Sequence, residues 1–208
     1  MSASASLEAR IDRLESLDEI RQLVARYCLA LDMRDLDALV GLFPEDVRVS
    51  REEQGRAALK RWFDDTLRNQ FTGTAHVTGN HVIEFEAPDQ ARGLVYSRNE
   101  HETGHAWVIM TMMYWDRYER IGDRWMFRRR LPLYWYATDL NAPPIGEQKM
   151  RWPDRDPYDG GWSDFWPSWR EFWETGFDAG SDVPEPAPFD EFLLRMRRGE
   201  AETSVRVR

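Results

Sequence analysis

The sequence predicts an α+β domain in which helices cover one face of a curved antiparallel sheet. Apolar residues recur at helical spacing through the first third of the chain, which argues for amphipathic helices. The middle third consists of long runs rich in Val, Ile, Thr and aromatic residues, separated by turn signals. Short connections join antiparallel neighbours, and helices followed by a meander of strands form the α+β class.

Ser16 and Glu19 make an S-x-x-E capping box ahead of Ile20, Leu23, Val24, Tyr27 and Leu31, which share one helix face. Upstream, Leu7, Ile11 and Leu14 keep the same period, and residues 1–13 are set apart as an N-terminal arm. Asp35 is the expected N-cap of a second helix carrying Leu36, Leu39, Val40 and Phe43, stopped by Pro44. Val47–Ser50 is a short strand candidate, and Leu59, Trp62, Phe63 and Leu67 mark a third helix after Gly55. Four strands are expected at Ala75–Glu86, Gly93–Glu102, Trp107–Arg120 and Arg124–Tyr136. Pro88-Asp89, Thr103-Gly104 and Gly122-Asp123 supply the turns between them.

The main domain is thus placed at residues 14–139, followed by an extension over residues 140–208 that is too small to have its own core. Eight of the eleven prolines and five of the ten tryptophans lie from Asn141 onward. Trp162, Trp166, Trp169 and Trp173 have helical spacing, with Ser163 as a cap and Pro167 in a first turn, where proline is tolerated. A last short helix is expected to carry Phe189, Phe192, Leu193 and Met196. The extension is expected to pack on the domain or on a neighbouring subunit and to supply aromatic surface.

Composition narrows the function. The 208 residues carry 28 Lys+Arg against 37 Asp+Glu, a net charge of −9 with no basic block, which argues against a nucleic-acid surface. Cys28 is the single cysteine, so no intrachain disulfide framework exists. No stretch approaches the roughly 18 uncharged apolar residues of a membrane span, and the first residues lack an apolar signal core. A cytoplasmic protein without membrane association is expected.

His101-Glu102-Thr103-Gly104-His105 matches the zinc-peptidase pattern H-E-x-x-H. That chemistry needs a helix to bring both histidines to one face. Here the five residues join two strand-like runs and have no evident third ligand, so the expected element is a hairpin and no metal is assigned. Tyr27, Asp32 and His76 form a second constellation. A carboxylate bonded to one imidazole nitrogen fixes the tautomer, leaves the other nitrogen as a proton acceptor and stabilises the imidazolium that then forms. Tyr27 and Asp32 are five residues apart, about 140° round a helix, so both reach one site only if the helix ends or bends near Asp32.

Ile20–Val47 (IRQLVARYCLALDMRDLDALVGLFPEDV), Thr74–Phe85 (TAHVTGNHVIEF) and YWDRYERIGDRWMFRRR resemble a SnoaL-like domain of the nuclear transport factor 2-like superfamily. The likeness runs from about Leu14 to Arg130 and implies a cone: a strongly curved sheet wrapped by three helices around a deep pocket. Within the superfamily the chain is most similar to enzymes of elimination, among them scytalone dehydratase, bile-acid dehydratase and hexachlorocyclohexane dehydrochlorinase. The resemblance implies a dyad of Asp32 and His76, with Tyr27 and Arg130 as polar partners of the reacting oxygen and Asn80 completing H-x-x-x-N. Arg128 remains an alternative to Arg130, and strand alternation gives those two a common face. His101 is a further candidate on the following strand.

Candidate substrate contacts are His101, Asn80, Trp107, Met113 and Tyr114. Alternation puts Trp107, Ile109, Thr111, Met113 and Trp115 on one face and Val108, Met110, Met112 and Tyr114 on the other, and the sequence leaves open which one faces the cavity. Either lining suits a flat, ring-containing molecule. The expected function is a cofactor-independent lyase, dehydratase-like or formaldehyde-releasing, acting on an aromatic or polycyclic small molecule. The alternatives are an isomerase or hydrolase using the same pocket, or a non-catalytic subunit like the small subunits of ring-hydroxylating dioxygenases. The resemblance also implies a homo-oligomer, dimer or trimer.

Overall fold

The computed structural model describes residues 6–175. Helix α1 spans Leu7–Asp32 without interruption, capped by the Ser6 side chain, which accepts from the Ala9 N–H at 3.2 Å. Ser16 and Glu19 therefore lie inside a helix instead of starting one, and residues 7–13 are its first turns, not a separate arm. Tertiary contacts extend the helix upstream. The Glu19 carboxylate accepts from the Trp125 N–H at 3.0 Å, Asp12 takes Arg120 at 2.7 Å, and Arg13 lies 4.6 Å over the Phe85 ring. Ile20, Leu23, Val24, Tyr27, Cys28 and Leu31 form the buried stripe.

Helix α2, Leu36–Gly41, is capped by Asp35, which accepts from the Ala38 N–H at 3.0 Å. Helix α3 spans Arg56–Gln70. Between them, the expected strand at Val47–Ser50 is reduced to one bridge, Arg48 with Gln54. The Ser50 hydroxyl accepts from the N–H groups of Glu52 and Glu53 at 3.1 and 3.0 Å and turns the chain back before a ladder can grow.

Four antiparallel strands follow in sequence order: β1 Gly73–Ala87, β2 Gln90–Glu102, β3 Trp107–Ile121 and β4 Arg124–Asp139. Four register shifts, at Thr78–His81, Phe85–Ala87, Thr111–Met112 and opposite Arg117–Tyr118, bend the sheet. Its inner face packs on α1–α3 through Val95, Met110, Met112, Tyr114, Tyr118 and Phe127. The outer face carries a second apolar layer of Leu94, Met113, Trp115, Leu131 and Leu133.

The C-terminal segment covers that second layer. Met150 bridges to Ala137 and Tyr158, after which the 3-10 turn Trp162–Phe165 and helix α4, Pro167–Thr175, follow. Phe165 is buried with Trp162 and Trp166 against the outer layer, and Trp162 stacks on Trp135 at 5.1 Å. Gly161, not Ser163, stands at the start of the turn, and Pro167 opens α4, where its missing N–H leaves no bond unmade. The helix expected around Phe189–Met196 lies outside the described residues.

Gly160 makes this docking close. A methyl group there would collide with the Trp135 carbonyl oxygen and meet the Met150 side chain at 3.2 Å. Gly160→Ala should therefore lift the segment and cost about 1–3 kcal/mol. Limited proteolysis after Asn141, together with thermal unfolding, checks this. A variant as resistant and as stable as the parent would show that the segment is not held there.

Candidate functional site

Asp32 is the last residue of α1, and the chain turns beyond it through Arg34 at φ +60°. The Asp32 side chain faces β1, whereas the Tyr27 ring packs against Phe43, Phe63, Tyr114 and Phe127, in keeping with the 140° between them. Asp32 Oδ1 lies 2.7 Å from His76 Nδ1 and accepts the Thr74 hydroxyl at 2.9 Å, while Oδ2 accepts the His76 backbone N–H at 2.8 Å. Arg34 donates to the Thr74 hydroxyl oxygen at 2.7 Å and to the Leu31 carbonyl at 2.8 Å, fixing Thr74 as donor to the carboxylate. Burial alone would raise the Asp32 pKa, but the His76 and Thr74 bonds outweigh it and hold the carboxyl below its ordinary value. An ionised Asp32 places the proton of His76 on Nδ1 and leaves Nε2 as acceptor. Both side chains are largely buried, His76 to 6% exposure and Asp32 to 14%.

His101, on β2, brings its ring to 5.8 Å from that of His76, with Phe71 at 4.6 Å and Trp152 of the C-terminal segment at 5.6 Å. Burial, aided by His76, pushes its pKa down to about 4, so it is neutral at pH 7. Its Nδ1 is buried without a partner among the described residues. His105 sits in the exposed hairpin loop near Asp154, 3.6 Å away, so the two histidines of H-E-x-x-H occupy a strand and a loop.

Arg130 is buried between three rings, with its guanidinium carbon 4.3 Å from Tyr27, 4.0 Å from Tyr114 and 4.4 Å from Phe127. Asp116 holds it in a two-pronged pair, both distances 2.9 Å. Burial disfavours the cation, but Asp116 more than restores it, and the Arg130 pKa is raised. The Tyr118 hydroxyl donates to Asp116 at 2.9 Å, so the 3.0 Å contact from His81 Nε2 is a donation to Tyr118. Arg130 keeps one terminal nitrogen, Nη1, buried without a hydrogen-bond partner among the described residues. Burial pushes Tyr27 up to about 12 and Cys28 up to about 11, so both stay protonated at pH 7.

A family model described as a SnoaL-like domain matches residues 12–131, more than half of the chain. The protein is a member of the SnoaL-like domain family. No curated protein matches the chain. Among solved structures, a candidate scytalone dehydratase from Novosphingobium aromaticivorans is 24% identical with a TM-score of 0.57, over 71% of this chain and 99% of that one. The LinA-type3 hexachlorocyclohexane dehydrochlorinase of Novosphingobium barchaimii is 20% identical with a TM-score of 0.58, over 65% and 99%. A further LinA structure gives 24%, 0.59, 65% and 99%. At these identities the neighbours share the fold.

Within this SnoaL-like domain, four sequence expectations need correction. Trp107 and Met113 lie on the outer sheet face, Met113 in the layer under Phe165, so neither lies on the His76 side. Asn80 is exposed, because the bulge between Thr78 and His81 shifts the alternation and turns His81 inward in its place. Arg128 does not share the face of Arg130. The extra residue opposite Arg117–Tyr118 sends it outward to Glu119 and Asp46, at 2.5 and 2.9 Å. Tyr114 does lie on the inner face, against Tyr27 and Arg130.

Asp116 and Asn99, both 0% exposed, are buried polar residues that the sequence patterns above do not single out. Each had a signal. Asp116 is the one acid on the alternating face Met110, Met112, Tyr114, Asp116, Tyr118, and Ser97, Asn99 and His101 form a polar set with a period of two on β2.

Two histidines give the SnoaL-like domain an acid limit. His81, like His101, is pushed down to about 4 by burial. Unfolded histidine takes its proton near pH 6.5, so between about 6.5 and 4 the unfolded chain binds more protons than the folded one. Stability should be full above that window and fall as pH drops through it, by at most about 3 kcal/mol per histidine. Urea unfolding at pH 7, 6, 5 and 4 checks this. His81→Gln should flatten the profile, and a flat profile in the parent protein would contradict it.

Proposed function

We propose that this protein is a lyase acting on a ring-bearing small molecule, with His76 and Asp32 as its acid–base dyad. The observation that carries the reading is the carboxylate grip. One Asp32 oxygen takes the His76 ring at 2.7 Å while the other takes the same residue's N–H at 2.8 Å, so the imidazole is oriented before substrate arrives. His76 Nε2 removes a proton from carbon, the C–H electron pair becomes the new double bond, and the leaving oxygen departs with a proton as water. The imidazolium formed in the first step lies against ionised Asp32 and can return its proton to the departing oxygen. Arg130, whose Nη1 has no hydrogen-bond partner among the described residues, and Tyr27, a neutral hydroxyl at pH 7, are the groups for a second substrate oxygen. Met110, Met112 and Tyr114 supply the apolar wall on the same face. The likeness to proteins described as dehydratase and dehydrochlorinase agrees with elimination chemistry.

Product mass tests the reading. Hydroxylated ring ketones incubated with the protein should give a product lighter by one water. A product of unchanged mass would indicate an isomerase, and one heavier by water a hydrolase. No product from any of them would remove the case for a lyase of this class.

A further inference from the structure

Asn99 stands directly across from His76 in the β1–β2 ladder. Side chains paired in this way hold their Cβ atoms about 4.5–5.5 Å apart, so the amide sits beside the imidazole. Asn99 is completely buried, and its position on β2 is one that strand alternation shares with Ser97 and His101. The Ser97 hydroxyl donates to Asn99 Oδ1 at 2.5 Å, a separation in the O–H···O range and shorter than N–H···O bonds run. The amide is thereby oriented with its carbonyl occupied and its Nδ2 without a partner among the described residues. Its other ladder neighbour, Met110, offers no strong acceptor. A buried N–H donor left unpaired costs stability that an apolar side chain of similar size would not.

We propose that Asn99, braced by Ser97, is a substrate-binding residue that donates a hydrogen bond to a ring oxygen next to the carbon deprotonated by His76, and so selects ring ketones. The inference rests on the dyad reading only for which carbon reacts. Removing a proton beside a carbonyl moves charge onto that oxygen, where a fixed amide donor stabilises it in a site shielded from water. A site built to bond an oxygen discriminates against analogues lacking it, because its own polar group is then left unpaired. The substrate class is thereby narrowed from aromatic or polycyclic molecules in general to those with a carbonyl beside an acidic C–H.

Matched pairs of probes test this on the full chain: 2-tetralone against tetralin and 1-indanone against indane, with dissociation constants from tryptophan fluorescence. The parent protein should favour each ketone by about tenfold, the factor expected for one buried hydrogen bond. Asn99→Leu should bring the ratio to near one while its melting temperature stays equal or rises. Ser97→Ala, which frees the amide to turn, should give an intermediate ratio. If Asn99→Leu does not fold, Asn99→Ala reports the same ratio. No ketone preference in the parent protein, or a preference kept in the Asn99 variants, overturns the proposal. The two readings fail separately. Ketone preference with full turnover in His76→Ala sinks the dyad alone, and loss of that turnover without ketone preference sinks the Asn99 assignment alone.

Discussion

Replacing His76 with alanine should lower kcat/KM on an elimination substrate by about 10²–10⁴-fold while leaving the protein folded, the range for removing a positioned acid–base group. Asp32→Asn should approach the same loss for a different reason. The carboxylate accepts three hydrogen bonds, from the His76 ring, the His76 N–H and the Thr74 hydroxyl. A carboxamide must turn an NH2 group toward one of these donors, and it carries no charge to stabilise the imidazolium. Circular dichroism separates lost chemistry from lost fold. Full turnover in either folded variant would take His76 and Asp32 out of the mechanism.

Asp116→Ala should reduce folding stability by about 3–5 kcal/mol, because it strands a buried guanidinium. Arg130 is 4% exposed and Asp116 0%, so water cannot replace the lost partner. The Tyr118 hydroxyl and the His81 proton bonded to it lose their terminal acceptor as well. The double variant Asp116→Leu with Arg130→Met should be far less damaging, since a buried ion pair can be exchanged for apolar residues at little net cost. Denaturant unfolding of both gives the comparison. Equal stability of Asp116→Ala and the parent protein would mean that Arg130 finds another counter-ion.

The helices and strands were legible because each is periodic over many residues. The β1–β4 boundaries follow from alternation plus turn residues, and Asp35 caps α2 as its position ahead of an apolar run suggests. What the sequence hid was phase. A one-residue bulge flips every side chain beyond it, and nothing in TAHVTGNHV shows that His81 instead of Asn80 turns inward. The same slip beside Phe127 separates Arg128 from Arg130. The choice of face on β3 was closed to periodicity because both faces are apolar, one against the helices and one under the C-terminal segment. Ser16 misled because a capping box is a local pattern, while the helix start is set by Ser6 together with contacts to residues more than a hundred positions away.

Trp152 reaches Phe71 and His101, and ten residues later the same segment lies under its own tryptophans on the far side of the sheet. The stretch matched by the family model stops at residue 131, within β4 and ahead of Leu133, Ala137 and Met150, all of them buried. The C-terminal segment thus touches both faces of the sheet, and a substitution in it is expected to be felt around a histidine on the opposite face.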